Sequence, residues 1–206
     1  MRGLWIGLAL ALVSGSAWAQ TPQQRDWCSS DTATDDQTID GCTALIQSGR
    51  ETTTGQAGAY YNRGIGYAGK GLYDQAIADY TQAIALQPDY AVAYDNRGIA
   101  YRHKGLYDQA IADHSHAIAL QPGLAKAHNN RGAVYSDKGL YDQAVTDFTQ
   151  AIALKSDYAI AYENRGIAYE RKGSRDQAVA DYRASLRLDP NRTLARDGLT
   201  RLGATP

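Results

Sequence analysis

Residues 57–90 read AGAYYNRGIGYAGKGLYDQAIADYTQAIALQPDY, and three further versions of this stretch follow without a break. The string Asn-Arg-Gly marks the same point in each version and returns every 34 residues, beginning at Asn62, Asn96, Asn130 and Asn164. A period of this length is typical of arrays in which short helical units stack on their neighbours. The repeat divides most of the chain into four units: 57–90, 91–124, 125–158 and 159–192.

Each unit is predicted to form two helices, here called helix A and helix B. In the first unit, residues 57–70 contain no proline and place their tyrosines at helical spacing, as helix A requires. Gly71 should end helix A, because glycine accepts a left-handed backbone at little cost. Asp74 lies where it could cap helix B. Helix B should then run to about Leu86, and Pro88 closes the unit because proline cannot continue a helix.

These features resemble the tetratricopeptide-repeat (TPR) family over about two-thirds of the chain. The resemblance rests on the small residues Gly64 and Ala76, and on the places held by Tyr60, Tyr67, Tyr80, Ala83 and Pro88. It implies an all-α, right-handed solenoid whose A helices line a concave groove that binds other proteins. Four substitutions depart from the pattern, and they predict a looser junction between the second and third units: His114, His128, Ser156 and Ser185.

The first 19 residues have the composition of a secretory signal peptide. Arg2 precedes an apolar run at 4–13, and Ala17 and Ala19 stand at the −3 and −1 positions of a cleavage site. The alternative is an uncleaved membrane anchor, although the apolar run is short for a bilayer span. We expect cleavage after Ala19, no membrane insertion afterwards, and a periplasmic location.

Residues 20–56 are predicted to form an N-terminal cap and a linker. An exported chain retains disulfides, so Cys28 and Cys42 should form a bridge that closes a loop of about 15 residues, worth about 3 kcal/mol. Residues 37–47 align with helix B of a unit, but a complete helix A before them is missing, so the cap should be a half-unit. The stretch 48–56 is expected to be a loop.

The array should end in a capping helix followed by a short tail, residues 193–206. Leu194, Ala195, Leu199 and Leu202 follow near-helical spacing there. A helix of this kind would cover the last unit with a polar outer face.

Four places in helix A differ in every unit, counting from the first residue of the unit. The second place holds Gly58, Val92, Lys126 and Ile160; the fifth holds Tyr61, Asp95, Asn129 and Glu163. The twelfth holds Ala68, Arg102, Ser136 and Glu170; the thirteenth holds Gly69, His103, Asp137 and Arg171. All four fall within one stripe about 100° wide, opposite the constant tyrosines and glycine. We interpret this stripe as the free, ligand-binding face, with neutral drift on a solvated surface as the alternative.

The sixth place is asparagine in all four units and lies at the edge of the same stripe. This asparagine ladder, Asn62, Asn96, Asn130 and Asn164, could hold the main chain of an extended peptide, because an amide both donates and accepts hydrogen bonds. Equally, each asparagine could bond a neighbouring helix of its own protein. If the ladder binds peptide, replacing Asn96 and Asn130 should weaken binding and leave stability nearly unchanged. The predicted peptide-binding residues are Tyr61, Asn62, Asp95, Asn96, Arg102, His103, Lys126, Asn129, Asn130, Glu163, Asn164 and Arg171.

The arginine of each Asn-Arg-Gly string has an aspartate 16 residues later, as Arg63 has Asp79. The arginine lies on helix A and the aspartate on helix B of the same unit. We therefore expect an ion pair within each unit, with a structural role.

Some TPR proteins hold a C-terminal carboxylate in a clamp of lysine, asparagine and arginine. Asn96 and Lys126 match this clamp, whereas Tyr61, Ile65 and Asn130 replace other members of it. The clamp is therefore incomplete here.

The sequence favours a non-catalytic binding protein with no cofactor and no metal site. No nucleophile elbow, phosphate loop, dinucleotide fingerprint or metal-binding helix motif is present. A formal net charge of −1 gives no indication of a nucleic-acid partner. The expected partner is another protein or peptide in the cell envelope, bound by a monomer or weak homo-oligomer. The main alternative is a self-associating envelope component; an enzyme using Glu163 and Glu170, or a histidine metal site, is less favoured.

Overall fold

The computed structural model describes the backbone of residues 22–205 and the side chains from Asp26 onward. The predicted signal peptide lies outside the described residues. This part of the chain forms eleven α-helices: α1 (Pro22–Ser29), α2 (Asp35–Ser48), α3 (Thr53–Gly69), α4 (Tyr73–Leu86), α5 (Ala91–His103), α6 (Tyr107–Leu120), α7 (Ala125–Asp137), α8 (Tyr141–Leu154), α9 (Ala159–Arg171), α10 (Arg175–Leu188) and α11 (Thr193–Arg201).

The helices pack in successive pairs and build the predicted right-handed solenoid. The four units are the pairs α3–α4, α5–α6, α7–α8 and α9–α10. Each A helix also contacts the A helix of the next unit, whereas within residues 22–205 no B helix contacts the next B helix. Because the A helices lie closer together, the array curves around them and they line its concave side.

Glycine allows close approach of the two helices inside each unit, as predicted. A Cβ atom added at Gly64 would lie 2.6 Å from the Tyr80 ring, so an alanine would not fit without movement. Ala76 is fully buried beside this contact. Gly71 has φ +73° and ends the turn after α3, which confirms its predicted left-handed conformation.

The predicted arginine–aspartate pairs are present in all four units. Arg63 donates from Nε and Nη2 to the two carboxylate oxygens of Asp79, at 2.7 and 2.8 Å, and from Nη1 to Thr43 in the preceding pair. The Asp79 side chain is only 7% exposed. Each arginine therefore joins helix A to helix B of its own unit and to the preceding helix B through a largely buried, bidentate contact. The other three pairs repeat this arrangement: Arg97–Asp113, Arg131–Asp147 and Arg165–Asp181.

Asp74 does not cap helix B, contrary to the prediction. The N-cap position of α4 is Leu72, which makes no side-chain capping bond. Asp74 instead accepts a hydrogen bond from Lys104 of the next unit, and Asp36, Asp108 and Asp142 accept from Lys70, Lys138 and Lys172 in the same way. These bridges are solvent-exposed, so each contributes at most about 1 kcal/mol.

The N-terminal cap contains more helix than the sequence predicted. The short helix α1 packs on α2, and the predicted Cys28–Cys42 disulfide joins them with Cα atoms 4.6 Å apart. The predicted loop at 48–56 is wrong in its second half, because α3 begins at Thr53 with one extra turn. Thr52 caps that turn by accepting a hydrogen bond from the Gly55 backbone N–H.

The predicted C-terminal capping helix corresponds to α11. Ala195 and Leu199 are fully buried against the last unit, whereas Leu194 is 55% exposed and lies outside this buried face. None of the helices between residues 22 and 205 is both long and apolar enough to cross a bilayer.

Candidate functional site

The fifth place of helix A is not part of a free surface, which corrects the sequence interpretation. Asp95, Asn129 and Glu163 are 5%, 4% and 1% exposed, and Tyr61 is half-buried. These side chains sit where one unit meets the next. The identity of the residue at this place is therefore a matter of packing between units.

The asparagine ladder bonds within the protein, as its structural alternative predicted. The Nδ2 atom of Asn96 donates to the Tyr61 hydroxyl at 3.0 Å, and that of Asn164 donates to Asn129 Oδ1 at 3.0 Å. Asn130 donates to both carboxylate oxygens of Asp95, at 3.2 and 3.1 Å. In each case the acceptor is the fifth-place residue of the preceding unit. Asn62 follows the same pattern towards the cap, donating to the Cys28 carbonyl at 2.8 Å.

The first junction, between α3–α4 and α5–α6, is aromatic. The Tyr61 ring lies 4.9 Å from the ring of Tyr90 and 5.9 Å from that of Tyr80, centroid to centroid. Burial raises the pKa of the Tyr61 hydroxyl, and the neighbouring Tyr90 adds to the shift. The hydroxyl therefore stays neutral and accepts the hydrogen bond from Asn96.

The second junction is built around the Asp95 carboxylate. His114 Nδ1 lies 2.7 Å from Asp95 Oδ1, and the His114 side chain is fully buried. His128, the other histidine at an aromatic place, lies beside Asp147 with Nδ1 at 3.5 Å from Oδ1. The buried side-chain polar atoms that lack a hydrogen-bond partner in the described chain all belong to these two units: His114 Nε2, His128 Nδ1 and Ser136 Oγ. The looser junction between these two units stays a prediction, because unpartnered atoms do not measure how tightly the units pack.

Glu163 joins the last unit to the capping helix. Its carboxylate pairs with Arg192 and accepts a hydrogen bond at 3.1 Å from the backbone N–H of Ala195, at the start of α11. Glu170 is also engaged, with Arg201 and the Tyr182 hydroxyl, and Arg201 lowers its pKa. The two carboxylates therefore do not form a solvent-exposed pair. Each accepts a hydrogen bond from a residue of the C-terminal capping helix.

The remaining predicted residues are more accessible. Lys126, His103 and Arg171 are exposed. Arg102 pairs with Asp137 at 2.6 Å, across the junction between the second and third units. These side chains remain on the outer part of helix A and can meet a ligand.

An apolar depression opens between α3 and α5 on the concave side. It has a volume of about 290 Å³ and contains Ile65, which is 41% exposed, together with Ile99. The Tyr73 and His103 rings stack at one edge, 4.6 Å apart and within 4° of parallel. Asp35 of α2 also lines the depression. Sequence reasoning missed Ile65, Ile99 and Tyr73 as site residues. The ninth place of helix A, which holds Ile65 and Ile99, varies little between units, and Tyr73 belongs to helix B.

Profiles of repeat families match the whole array. The description "Tetratricopeptide repeat" applies to residues 57–90, 79–112 and 159–192, and "TPR repeat" to 98–139 and 134–173. The chain therefore belongs to the TPR family. No protein of curated function matches it.

Solved TPR structures share the fold. The crystal structure of MamA is 27% identical with a TM-score of 0.67, and the match covers 77% of this chain and 90% of that one. The second TPR domain of human RPAP3, solved with an HSP70 peptide, is 30% identical with a TM-score of 0.53, covering 56% and 96%. The first TPR of Spaghetti (RPAP3), bound to an HSP90 peptide, is 28% identical with a TM-score of 0.54, covering 55% and 90%.

Proposed function

We propose that this protein is a non-catalytic scaffold of the cell envelope that binds a peptide segment of another protein on its concave, A-helix surface. The observation that carries the proposal is the apolar depression between α3 and α5. Ile65, which is 41% exposed, and Ile99 together give this concave site an apolar lining of the kind that ligands bury. The two RPAP3 domains, which hold peptides of other proteins, support this class of ligand.

The chemistry of the depression suggests the type of segment. Ile65 and Ile99 would contact an apolar side chain, and the Tyr73–His103 pair offers a flat face beside it. Asp35, in the lining of the same depression, favours a basic residue next to that anchor. This pattern differs from a carboxylate clamp, in which a negative ligand would meet the Asp95 carboxylate at the neighbouring junction.

The asparagine ladder can take part without giving up its structural role. Asn96 lines the depression, and its described contact with Tyr61 uses a single amide N–H. Since an amide carries a second N–H and a carbonyl oxygen, both remain for the main chain of a peptide. The ladder would then orient the segment, while Ile65 and its neighbours would provide most of the buried apolar area.

Selection from a random peptide library tests this function. The mature chain, 20–206, would be the bait, and the affinity of the selected peptides would be measured by calorimetry. Ile65→Glu should reduce that affinity at least about tenfold, because it places a charge in the apolar contact. The matched control is Ala78→Glu, at an exposed place on α4 outside the depression. Equal affinity for the two variants would contradict the proposal.

The envelope location rests on the sequence of residues 1–19 and needs its own test. Mass spectrometry of the protein purified from a periplasmic fraction should give a chain that begins at Gln20. Recovery of the intact chain from the cytoplasm would contradict export and would leave the peptide-binding proposal unaffected.

A further inference from the structure

A basic groove lies at the C-terminal end of the array, between α10 and α11. It has a volume of about 400 Å³ and is lined by Leu186, Pro190 and three arginines: Arg183, Arg187 and Arg196. Its position, where the last unit meets the capping helix, separates it from the concave depression between α3 and α5.

The arginines are specific to this end of the molecule. Different residues hold the corresponding places at the three internal junctions. They are Thr81, Ser115 and Thr149 for Arg183, and Ala85, Ala119 and Ala153 for Arg187, all in the unit before the junction. For Arg196 they are Tyr94, His128 and Tyr162, in the unit after the junction. The hydroxyl-bearing residues of the first set accept hydrogen bonds from the arginine of the following unit. At the last junction Leu199 takes the place of that arginine. The end groove is therefore positively charged. At the internal junctions the corresponding side chains are neutral, and the arginine of each unit is paired with an aspartate.

No carboxylate neutralises these three arginines within residues 26–205. Arg183 Nε donates to the Thr205 carbonyl at 3.0 Å, and Arg196 Nη2 donates to the Pro190 carbonyl at 2.7 Å. Arg187 is exposed and has no partner in the described chain. A guanidinium group is planar and remains charged, so the groove presents unused donors suited to carboxylates.

The opposite end of the molecule is acidic. The helix α2 exposes Asp35, Asp36 and Asp40, and Asp31 precedes it. Lys70 pairs with Asp36, and Asp35 and Asp40 add to the raised pKa of its ammonium group, so one cation serves three carboxylates. The Asp36 side chain is still 74% exposed in that pair. This surface therefore keeps a negative charge that an external cation could neutralise.

The two charged ends cannot neutralise each other within one molecule. Seven helices, α3 to α9, lie between α2 and α10, and α2 contacts neither α10 nor α11. We propose that the arginine groove between α10 and α11 binds the aspartates of α2 on a second copy of this chain, so that copies associate head to tail. Such a contact is heterologous: each copy keeps one free acidic end and one free basic end, which allows further copies to add.

Analytical ultracentrifugation of the mature chain tests this association. At about 50 mM salt the sedimentation coefficient should rise with protein concentration, and at about 500 mM salt the rise should disappear, because the Debye length shortens severalfold. Arg187→Glu/Arg196→Glu and Asp36→Lys/Asp40→Lys should each remain monomeric at low salt. A mixture of these two variants should associate again, since the intact acidic end of one meets the intact basic end of the other. Asp157→Lys, at an exposed site between α8 and α9, should associate like the wild type.

Thermal unfolding of each variant checks that the charge reversals leave the fold intact. A wild type that stays monomeric at low salt, or variants that associate as it does, would overturn the proposal. A monomeric wild type that binds inorganic phosphate in calorimetry would also overturn it and would leave the groove as a simple anion site. Ile65→Glu leaves Asp36, Asp40 and the three arginines unchanged, so the association should persist in this variant while peptide binding is weakened. The two proposals can therefore fail independently.

Discussion

The fifth and ninth places of helix A contrast in variation and in exposure. The fifth place changes in every unit, yet from the second unit onward it is buried and bonded to a neighbouring unit or cap. The ninth place holds isoleucine in three of the four units, yet Ile65 is 41% exposed and Ile99 and Ile167 are half-buried; only Ala133, in the third unit, is buried. Variation between repeats therefore does not identify the solvent-accessible face of this protein.

Matching between neighbouring units explains the variable fifth place. Tyr61 accepts from Asn96, Asp95 from Asn130, and Asn129 from Asn164, so one constant donor meets a different acceptor at each junction. The acceptor in turn fits its surroundings, as Asp95 fits His114 and Glu163 fits Arg192. Each junction therefore has its own matched hydrogen-bond acceptor. Exchanging one unit for another would leave buried polar groups without hydrogen-bond partners.

The largest expected effect comes from the centre of the second junction. Asp95→Ala removes the partner of the fully buried His114 and the acceptor of the half-buried Asn130, and leaves both polar groups unsatisfied. The free energy of unfolding should fall by about 2–4 kcal/mol, measured by urea denaturation. Lys126→Ala, at an exposed variable place, should change it by less than about 0.5 kcal/mol. Equal effects would contradict the distinction between buried and accessible variable places.

An intermediate effect is expected for the double variant Asn96→Ala/Asn130→Ala. It removes the amide donors of two junctions, so the free energy of unfolding should fall by about 2 kcal/mol, at roughly 1 kcal/mol per hydrogen bond. A ladder that served only peptide binding would lose affinity with no change in stability. Circular dichroism melts and peptide titrations on the same variant separate the two roles.

The smallest expected effect concerns pH at the C-terminal cap. Arg201 lowers the pKa of Glu170, so the stability that this pair contributes is present above the ordinary glutamate pKa and is lost as pH falls through the lowered value. The difference in unfolding free energy between the wild type and Arg201→Gln should therefore shrink between about pH 5 and pH 3. A difference that grows on acidification would show that the pair does not stabilise the cap.

The sequence was sufficient for most features that depend on contacts within one unit. The Asp74 cap is the exception, because that aspartate pairs with Lys104 of the next unit. The 34-residue period, the turn at Gly71 and the Arg63–Asp79 pair all follow from spacing along two adjacent helices, and all are present. Features that depend on how units approach each other were not predictable. The burial of Asp95 and the exposure of Ile65 depend on how neighbouring A helices pack. The extra turn at 53–56 is different, because Thr52 caps it locally and the polar composition of 48–56 favoured a loop instead.

Mapping a selected peptide onto the isotope-labelled chain by NMR tests the central claim most directly. If the concave A-helix surface binds the segment, backbone amide shifts should change most around Ile65, Gly69, Ile99 and His103. Changes centred on the exposed faces of α4 and α6, with these amides unmoved, would contradict the account.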